Sequence, residues 1–386
     1  MKITFILPII GISGGTKAVF EFANHLHDRG HDVCVVYPLM PMRSGAKWCD
    51  IRNLIRRSKS AIAERKQESR LEWFDLKANL IRVPTLAGRY IPDGDIVVAT
   101  WWETAYYVRG YPKSKGEKFY LAQHYEVWGG PEERVNESYR LGLRIIVNST
   151  WLQSVLENRL GVEIEALILH APDLEQFYPE KGRRGNGAIR ILMPYRRQDW
   201  KGDKDGIRAF EMVQETCPEV KLVMFGAAKG EEVPPHVEFH EWPVKERLRQ
   251  LYNSCDIFVY PSHHEGFGMP PMEAMACKCA VVTTNVGAVP DYAIPGRTAL
   301  VSPPKAPQQL AENIMKLVED DELRKRISEA GYHHVIKNFS WGRSTGALEE
   351  TFKRALAKEN RKQQPRSAKE RKQPRGKKIS GCGEAE

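Results

Sequence analysis

Two carboxylates separated by seven residues, Glu265 and Glu273, stand in the run Pro261-Ser262-His263-His264-Glu265-Gly266-Phe267-Gly268-Met269-Pro270-Pro271-Met272-Glu273-Ala274-Met275-Ala276. The run follows an apolar strand, Ile257–Tyr260, and opens a helix. Pro270 and Pro271 suit a first helical turn, while Met272, Met275 and Ala276 give that helix a buried face. A glycine loop over a helix N-terminus offers free N–H groups and the positive end of a dipole, a natural place for phosphate. Carboxylates beside an anion site need other work. The vicinal hydroxyls of a sugar supply it, because one ionised carboxylate accepts two O–H donors. Taken singly, Glu265 reads as a solvated loop residue and Glu273 as a complement to the dipole. The whole constellation points to a phosphorylated sugar.

A second element ends another strand: Pro194-Tyr195-Arg196-Arg197-Gln198-Asp199-Trp200-Lys201-Gly202 follows Ile189–Met193. Arginine offers a bidentate fork and lysine a point charge, the usual pair for a diphosphate. An ordinary basic turn is the plain alternative. Asp93-Gly94-Asp95 and Asp203-Lys204-Asp205 pair carboxylates as well, but read as a loop before a strand and as a helix start. No Cys-x-x-Cys occurs among the seven cysteines, and Cys277-Lys278-Cys279 has the wrong spacing for zinc, so reduced core thiols are expected.

The elements that must hold these residues alternate between strand and helix. Ile3–Ile9 is a buried-type strand, Gly11-Ile12-Ser13-Gly14-Gly15 a glycine loop, and Ala18, Val19, Phe22, Ala23 and Leu26 one face of a helix closed by Arg29-Gly30. Val33–Tyr37 completes a βαβ unit and predicts a parallel sheet covered on both faces. Further strands are predicted at Asp95–Thr100, Lys118–Gln123, Arg144–Asn148 and Glu165–Leu169. After a Pro/Gly/Arg-rich linker, a second series follows at Ile189–Met193, Lys221–Phe225, Ile257–Tyr260, Ala280–Thr284 and Ala299–Val301. Gln308–Lys337 and Trp341–Ala357 read as helices. Two doubly wound α/β domains in tandem fit a chain of 386 residues, and in such sheets ligands lie beyond the carboxyl ends of the strands, where both motifs sit.

The net charge of +9 is uneven. Residues 358–386 hold ten Lys/Arg against four Asp/Glu, and residues 51–70 hold seven against two, so the remainder is close to neutral. The 358–386 tail has almost no large apolar side chains and is expected to be disordered. No run of about 18 apolar residues would span a bilayer. The N-terminal segment lacks a cleavage region and reads as a first strand, which makes a cytoplasmic protein the expectation.

These residues carry a resemblance. Glu265 to Glu273 is an E-x7-E motif within E-G-F-G-M-P-x-M-E-A-M-A, Arg196 to Gly202 is R-x4-K-G, and Gly14-Gly15-Thr16 is a glycine loop before a helix. Over roughly residues 1–355 the chain resembles glycosyltransferase family 4, retaining enzymes of the GT-B fold. The resemblance implies two Rossmann-like domains facing a central cleft: residues 1–175 on the acceptor side, 176–338 binding the nucleotide sugar, 339–357 a crossover helix returning to the first domain, and 358–386 a basic tail. It implies that Arg196 and Lys201 hold the donor diphosphate and stabilise it as the leaving group. Glu273 binds the ribose, Glu265 contacts the transferred sugar, and the amides of Gly266, Phe267, Gly268 and Met269 meet sugar and phosphate. Glu241-Trp242-Pro243-Val244, Trp242 and Val244 among them, cradles the base largely through backbone, Gly14 and Gly15 approach the phosphate from the opposite domain, and His124 stands on the sugar–acceptor side. Where the family has Gly-Arg this chain has Tyr195-Arg196, and Arg197 follows, so either arginine can be the one that meets phosphate.

The implied reaction moves a sugar, with retention, from a nucleotide diphosphate sugar to a hydroxyl of a glycan or lipid-linked acceptor in cell-surface glycan synthesis. No metal or other cofactor is called for, since Arg196, Lys201 and a helix dipole replace one. Residues 51–70, with Ile51, Leu54, Ile55 and Ile62 on one side, read either as a solvated helix or as a peripheral contact with an anionic membrane at its inner face. Trp101, Trp102, Tyr106, Tyr107, Tyr125 and Trp128 follow strand ends and suit either sugar stacking or core packing. Two rivals stand: a catalytically silent sugar-nucleotide-binding protein, and a nucleic-acid-binding protein acting through its tail. The tail has no aromatic residue to stack bases, so no specific nucleic acid is expected. A dehydrogenase is disfavoured because Gly11–Gly15 does not complete G-x-G-x-x-G.

Overall fold

The computed structural model describes residues 1–40, 73–180 and 187–363. The basic segment 51–70, Cys49, and the tail from 364 onward lie outside the described residues.

The first sheet comprises β1 (Lys2–Ile6), β2 (Asp32–Pro38), β3 (Asn79–Val83), β4 (Ile96–Ala99), β5 (Glu117–Ala122), β6 (Arg144–Val147) and β7 (Ile164–Leu167). It is parallel throughout, in the order β3-β2-β1-β4-β5-β6-β7. Consecutive residues alternate between two apolar layers. Phe5, Val35, Val98, Phe119 and Ile146 face helix α1 (Gly14–Asp28). Ile6, Val36, Val97, Tyr120 and Ile145 face the layer of α2 (Trp102–Arg109), α3 (Glu132–Ser138) and α4 (Thr150–Leu160). The second sheet is also parallel: β8 (Arg190–Tyr195), β9 (Lys221–Gly226), β10 (Glu238–Glu241), β11 (Ile257–Tyr260), β12 (Ala280–Thr284) and β13 (Leu300–Ser302), in the order β10-β9-β8-β11-β12-β13.

Two strands escaped the sequence reading, β3 and β10, and both are sheet edges. An edge strand needs one buried face at most and carries charge that blunts further pairing, so Asn-Leu-Ile-Arg-Val and Glu-Phe-His-Glu show no apolar run. The single helix expected over Gln308–Lys337 is two. The remaining helices are α5 (Asp203–Thr216), α6 (Glu246–Ser254), α7 (Pro270–Ala276), α8 (Val289–Tyr292), α9 (Pro307–Glu319), α10 (Asp321–Asn338) and α11 (Trp341–Gln363). Asp320 leaves helical geometry between α9 and α10, and its carboxylate accepts from Leu323 N at 2.8 Å as an N-cap. The acidic run Glu319–Glu322 belongs at a helix start, where it meets the positive dipole end.

Helix α11 crosses back to the first domain and lies along α1. Phe352 packs edge-on to Phe119 with ring centroids 4.8 Å apart, Trp341 meets Phe22 at 5.1 Å, and Glu349 pairs with Arg29 and His31, each at 3.1 Å. The helix continues past Ala357 to Gln363, six residues into the stretch expected to be disordered. Apolar spacing ends near 357, but a helix already nucleated by a packed face propagates at little cost. Cys34, Cys255, Cys277 and Cys279 are buried in the cores. No helix among the described residues is long and apolar enough to cross a membrane.

Candidate functional site

The carboxyl ends of both sheets open onto one cavity of about 940 Å³. From the second domain, β8 delivers Arg196, and a single 3-10 turn, Asp199–Lys201, delivers Lys201. Asp203 holds that loop in place by accepting from the backbone N–H of Arg196 at 2.6 Å and of Arg197 at 3.0 Å. Gly202 has φ +67°, and a Cβ there would lie 2.0 Å from the Pro261 carbonyl, so the Lys-Gly step requires glycine.

Glu265 is the hub. Its carboxylate lies 3.1 Å from Arg196 Nη1 and 2.9 Å from Lys201 Nζ, and accepts from Tyr260 Oη at 2.8 Å and Ser262 Oγ at 2.7 Å. Burial alone would raise its pKa, but Lys201 and Arg196 overcome that and bring it to about 2. Burial lowers the Lys201 pKa in turn. Eight residues on, Glu273 lies in the first turn of α7, bonded to Tyr252 Oη at 3.1 Å and to Lys17 Nζ at 3.3 Å.

The first domain contributes the start of α1. Ser13 caps it, accepting from Thr16 N, and Gly14 and Gly15 line the cavity. Gln123 Nε2 donates to the Gly15 carbonyl at 3.2 Å, and Asn148 Nδ2 donates to the Gln123 carbonyl at 2.9 Å. His124 lines the cavity next to Gln123; its Nδ1 is 2.9 Å from the Tyr125 carbonyl, and burial lowers its pKa to about 4, so it is neutral at physiological pH. The two domains touch where Gly266 meets Gln123: a Cβ on Gly266 would stand 2.2 Å from the Gln123 carbonyl oxygen.

Not every residue singled out in the sequence faces this space. Gly266, Phe267, Gly268, Met269 and Val244 line it together with Arg196, Lys201, Glu265 and Glu273. Trp242, with φ +44° and 55% exposed, does not; its neighbour Pro243 does. The two arginines part. Arg196 enters the cavity, whereas Arg197, at φ +62°, donates to the Lys229 carbonyl at 2.9 Å and lines a second cavity of about 650 Å³. Among the aromatics, Trp102 and Tyr125 are core residues, while Trp101 and Trp128 line the main cavity. Lys17, Gln123 and Asn148 were not found from the sequence. Lys17 carried a signal, as the cation one residue beyond Gly14-Gly15-Thr16; Gln123 and Asn148 are polar residues ending apolar strands. Among the described residues no group of three His, Cys, Asp or Glu side chains is placed to hold a metal ion.

Residues 175–334 match the family described as Glycosyl transferases group 1. The chain is 29% identical over 181 residues to a D-inositol 3-phosphate glycosyltransferase of Corynebacterium glutamicum, covering 43% of each chain, and 30% identical over 149 residues to the capsular polysaccharide biosynthesis glycosyltransferase CapM of Staphylococcus aureus, covering 36% of this chain and 39% of CapM. It thus spans less than half the length of these curated relatives. In three dimensions it is similar to Anabaena Alr3699/HepE, solved in complex with UDP-glucose, at a TM-score of 0.70 and 16% identity over 92% of this chain and 100% of that one. Two parallel-sheet, Rossmann-like domains facing one cavity are the GT-B fold, and residues 175–334, which cover the second of them, match the glycosyl transferases group 1 family.

Proposed function

We propose that this protein is a glycosyltransferase that moves a sugar from a nucleotide diphosphate sugar to a hydroxyl acceptor with retention at the anomeric carbon. The observation that carries the reading is the convergence of Arg196 and Lys201 on the ionised Glu265 inside a cavity shared by both domains. Two cations within reach of one carboxylate suit a donor whose diphosphate faces Arg196 and Lys201 and whose sugar hydroxyls face Glu265. Glu273 serves the ribose, and the amides at Gly14, Gly15 and Gly266–Met269 serve phosphate and sugar. Pro243 and Val244 border the base. HepE was solved with UDP-glucose, which supports a nucleotide sugar as donor.

The bond between the anomeric carbon and the diphosphate oxygen breaks as the acceptor oxygen bonds the same carbon from the same face. The acceptor proton passes to the departing diphosphate. Positive charge on the sugar and negative charge on the leaving group are stabilised by groups fixed before the reaction, Glu265 for the first and Arg196 and Lys201 for the second. Glu265 therefore acts without forming a covalent intermediate. The relatives' names, inositol phosphate and capsular polysaccharide glycosyltransferases, support a role in glycan synthesis at the cell surface. Under this reading the protein works in the cytoplasm, and the basic segment 51–70 is its contact with anionic lipid.

The test is a thermal-shift screen with UDP, GDP and dTDP, followed by donor turnover. A nucleotide at 100 times its dissociation constant adds about 2.7 kcal/mol of stability. One of the three should raise the melting temperature, and the matching nucleotide sugars should be turned over by wild type but not by Glu265→Ala. No shift with any nucleotide would defeat the reading; a shift without turnover would leave a silent binding protein.

A further inference from the structure

Trp101 and Trp128 line the main cavity beside His124, and a third tryptophan, Trp200, lines the second cavity next to them. Trp128 lies 5.2 Å from Trp101 and 6.2 Å from Trp200 between ring centroids, the latter pair near parallel at 30°. Trp128 belongs to the first domain and Trp200 to the Arg196–Lys201 loop of the second. Both are open to solvent, at 49% and 42%. Indole rings in a core are covered, so two half-bare rings where the main and second cavities adjoin serve a ligand better than they serve packing.

The platform is fixed from beneath. A Cβ on Gly129 would stand 2.5 Å from the Trp101 ring, so only a bare backbone lets that ring settle behind Trp128. Gly129 and Trp128 share one 3-10 turn, Val127–Gly129, which couples the two ring positions.

The same cavity holds two hydrogen-bond acceptors without a donor. Asn148 Oδ1 and Gln123 Oε1 are buried and have no partner among the described residues, while their amide nitrogens are engaged with the Gln123 and Gly15 carbonyls. Orphaned carbonyl oxygens call for O–H donors and repel anions. A sugar ring offers both complements, an apolar C–H face for indole and hydroxyls at its edge.

We infer that the acceptor is an uncharged saccharide whose ring packs on Trp128, backed by Trp101 and flanked by Trp200, and whose hydroxyls donate into the cavity. The inference rests on the glycosyltransferase reading above and narrows its acceptor to carbohydrate, where the relatives' names include an inositol phosphate. Beyond Gln198 and Trp200 the second cavity begins, so a longer saccharide continues past the platform.

The experiment uses the full chain on an array of immobilised neutral mono- and oligosaccharides, with inositol phosphate and polyprenyl phosphate as charged comparators. Wild type, Trp128→Ala, Trp200→Ala and Trp242→Ala are compared, the last removing an exposed indole that lines neither cavity. Wild type should retain neutral saccharides, Trp128→Ala and Trp200→Ala should weaken that binding about tenfold, and Trp242→Ala should leave it unchanged. The thermal shift with nucleoside diphosphate should be the same in all four proteins. Retention of phosphorylated probes alone, equal saccharide binding by Trp128→Ala, or no saccharide bound by a protein that still responds to nucleotide would each overturn the inference. So would a changed nucleotide response in Trp128→Ala, which would make the Trp128–Trp200 contact a brace between domains. A wild type that binds saccharide but no nucleotide would instead overturn the donor reading.

Discussion

Lys17 Nζ lies 3.3 Å from Glu273 Oε1, an ion pair that ties the first helix of one domain to the site helix of the other. The ammonium also lies over the Phe177 ring at 4.9 Å. Burial alone would lower the Lys17 pKa, but Glu273, Glu21 and Asp173 together hold it above its ordinary value. Replacing the lysine leaves Glu273 buried with only Tyr252 as a side-chain donor among the described residues. Lys17→Met should therefore cost about 2 kcal/mol in urea unfolding, and adding Glu273→Gln should recover most of that loss. Simple additivity of the two substitutions would show that the pair does not couple the domains.

Glu265 pairs with both cations that the proposed diphosphate needs. Removing its charge should separate binding from turnover. Glu265→Gln should bind nucleoside diphosphate as tightly as wild type or several-fold more tightly in calorimetry, because Arg196 and Lys201 are released, while transfer falls about 10²- to 10³-fold. Lys201→Ala should do the opposite to affinity. Weaker nucleotide binding by Glu265→Gln would mean that the carboxylate positions the cations more than it competes for them.

The site residues within one strand–loop–helix segment were legible because their spacing is local: Glu265 and Glu273, Arg196 and Lys201. The residues that complete the cavity from the other domain were not. Lys17 meets Glu273 across 256 positions, and nothing in either segment names the other. The place of the Trp242 side chain outside the cavity was hidden for a similar reason. The stretch around it borders the cavity, but a backbone at φ +44° turns this side chain outward, and sequence spacing carries no such twist. The split between Arg196 and Arg197 is another single-residue turn of the backbone. The central strands were legible as apolar runs because both faces of a parallel sheet are covered; the edge strands β3 and β10 hid behind the charges that suit an edge.

Gly266 should control how closely the domains approach. Its missing Cβ leaves room for the Gln123 carbonyl and for His124 Cδ2, which a Cβ would approach to 3.0 Å. The Gln123 atom is backbone, so the clash in Gly266→Ala cannot be relieved by a rotamer change. The domains must separate, and small-angle scattering should show a larger radius of gyration than in wild type. Transfer should fall while nucleotide still stabilises the protein, because Arg196 and Lys201 lie wholly in the second domain. An unchanged radius would show that the strain is absorbed locally.

A buried acid, Glu126, makes stability depend on pH. Glu126 accepts from Trp102 N at 2.7 Å and Tyr120 Oη at 3.0 Å, and burial raises its pKa from 4.5 to about 8 against the pull of those two donors. Between those values the folded protein keeps a proton that the unfolded chain releases, so stability falls as pH rises through the window, by at most about 1.4 kcal/mol per pH unit. Glutamine can accept the same two bonds through its oxygen and has no proton to lose. The melting temperature of Glu126→Gln should therefore run close to that of wild type near pH 5 and rise progressively above it toward pH 8. A gap that stays constant across that range would mean that Glu126 is ionised in the fold and that its two donors outweigh its burial.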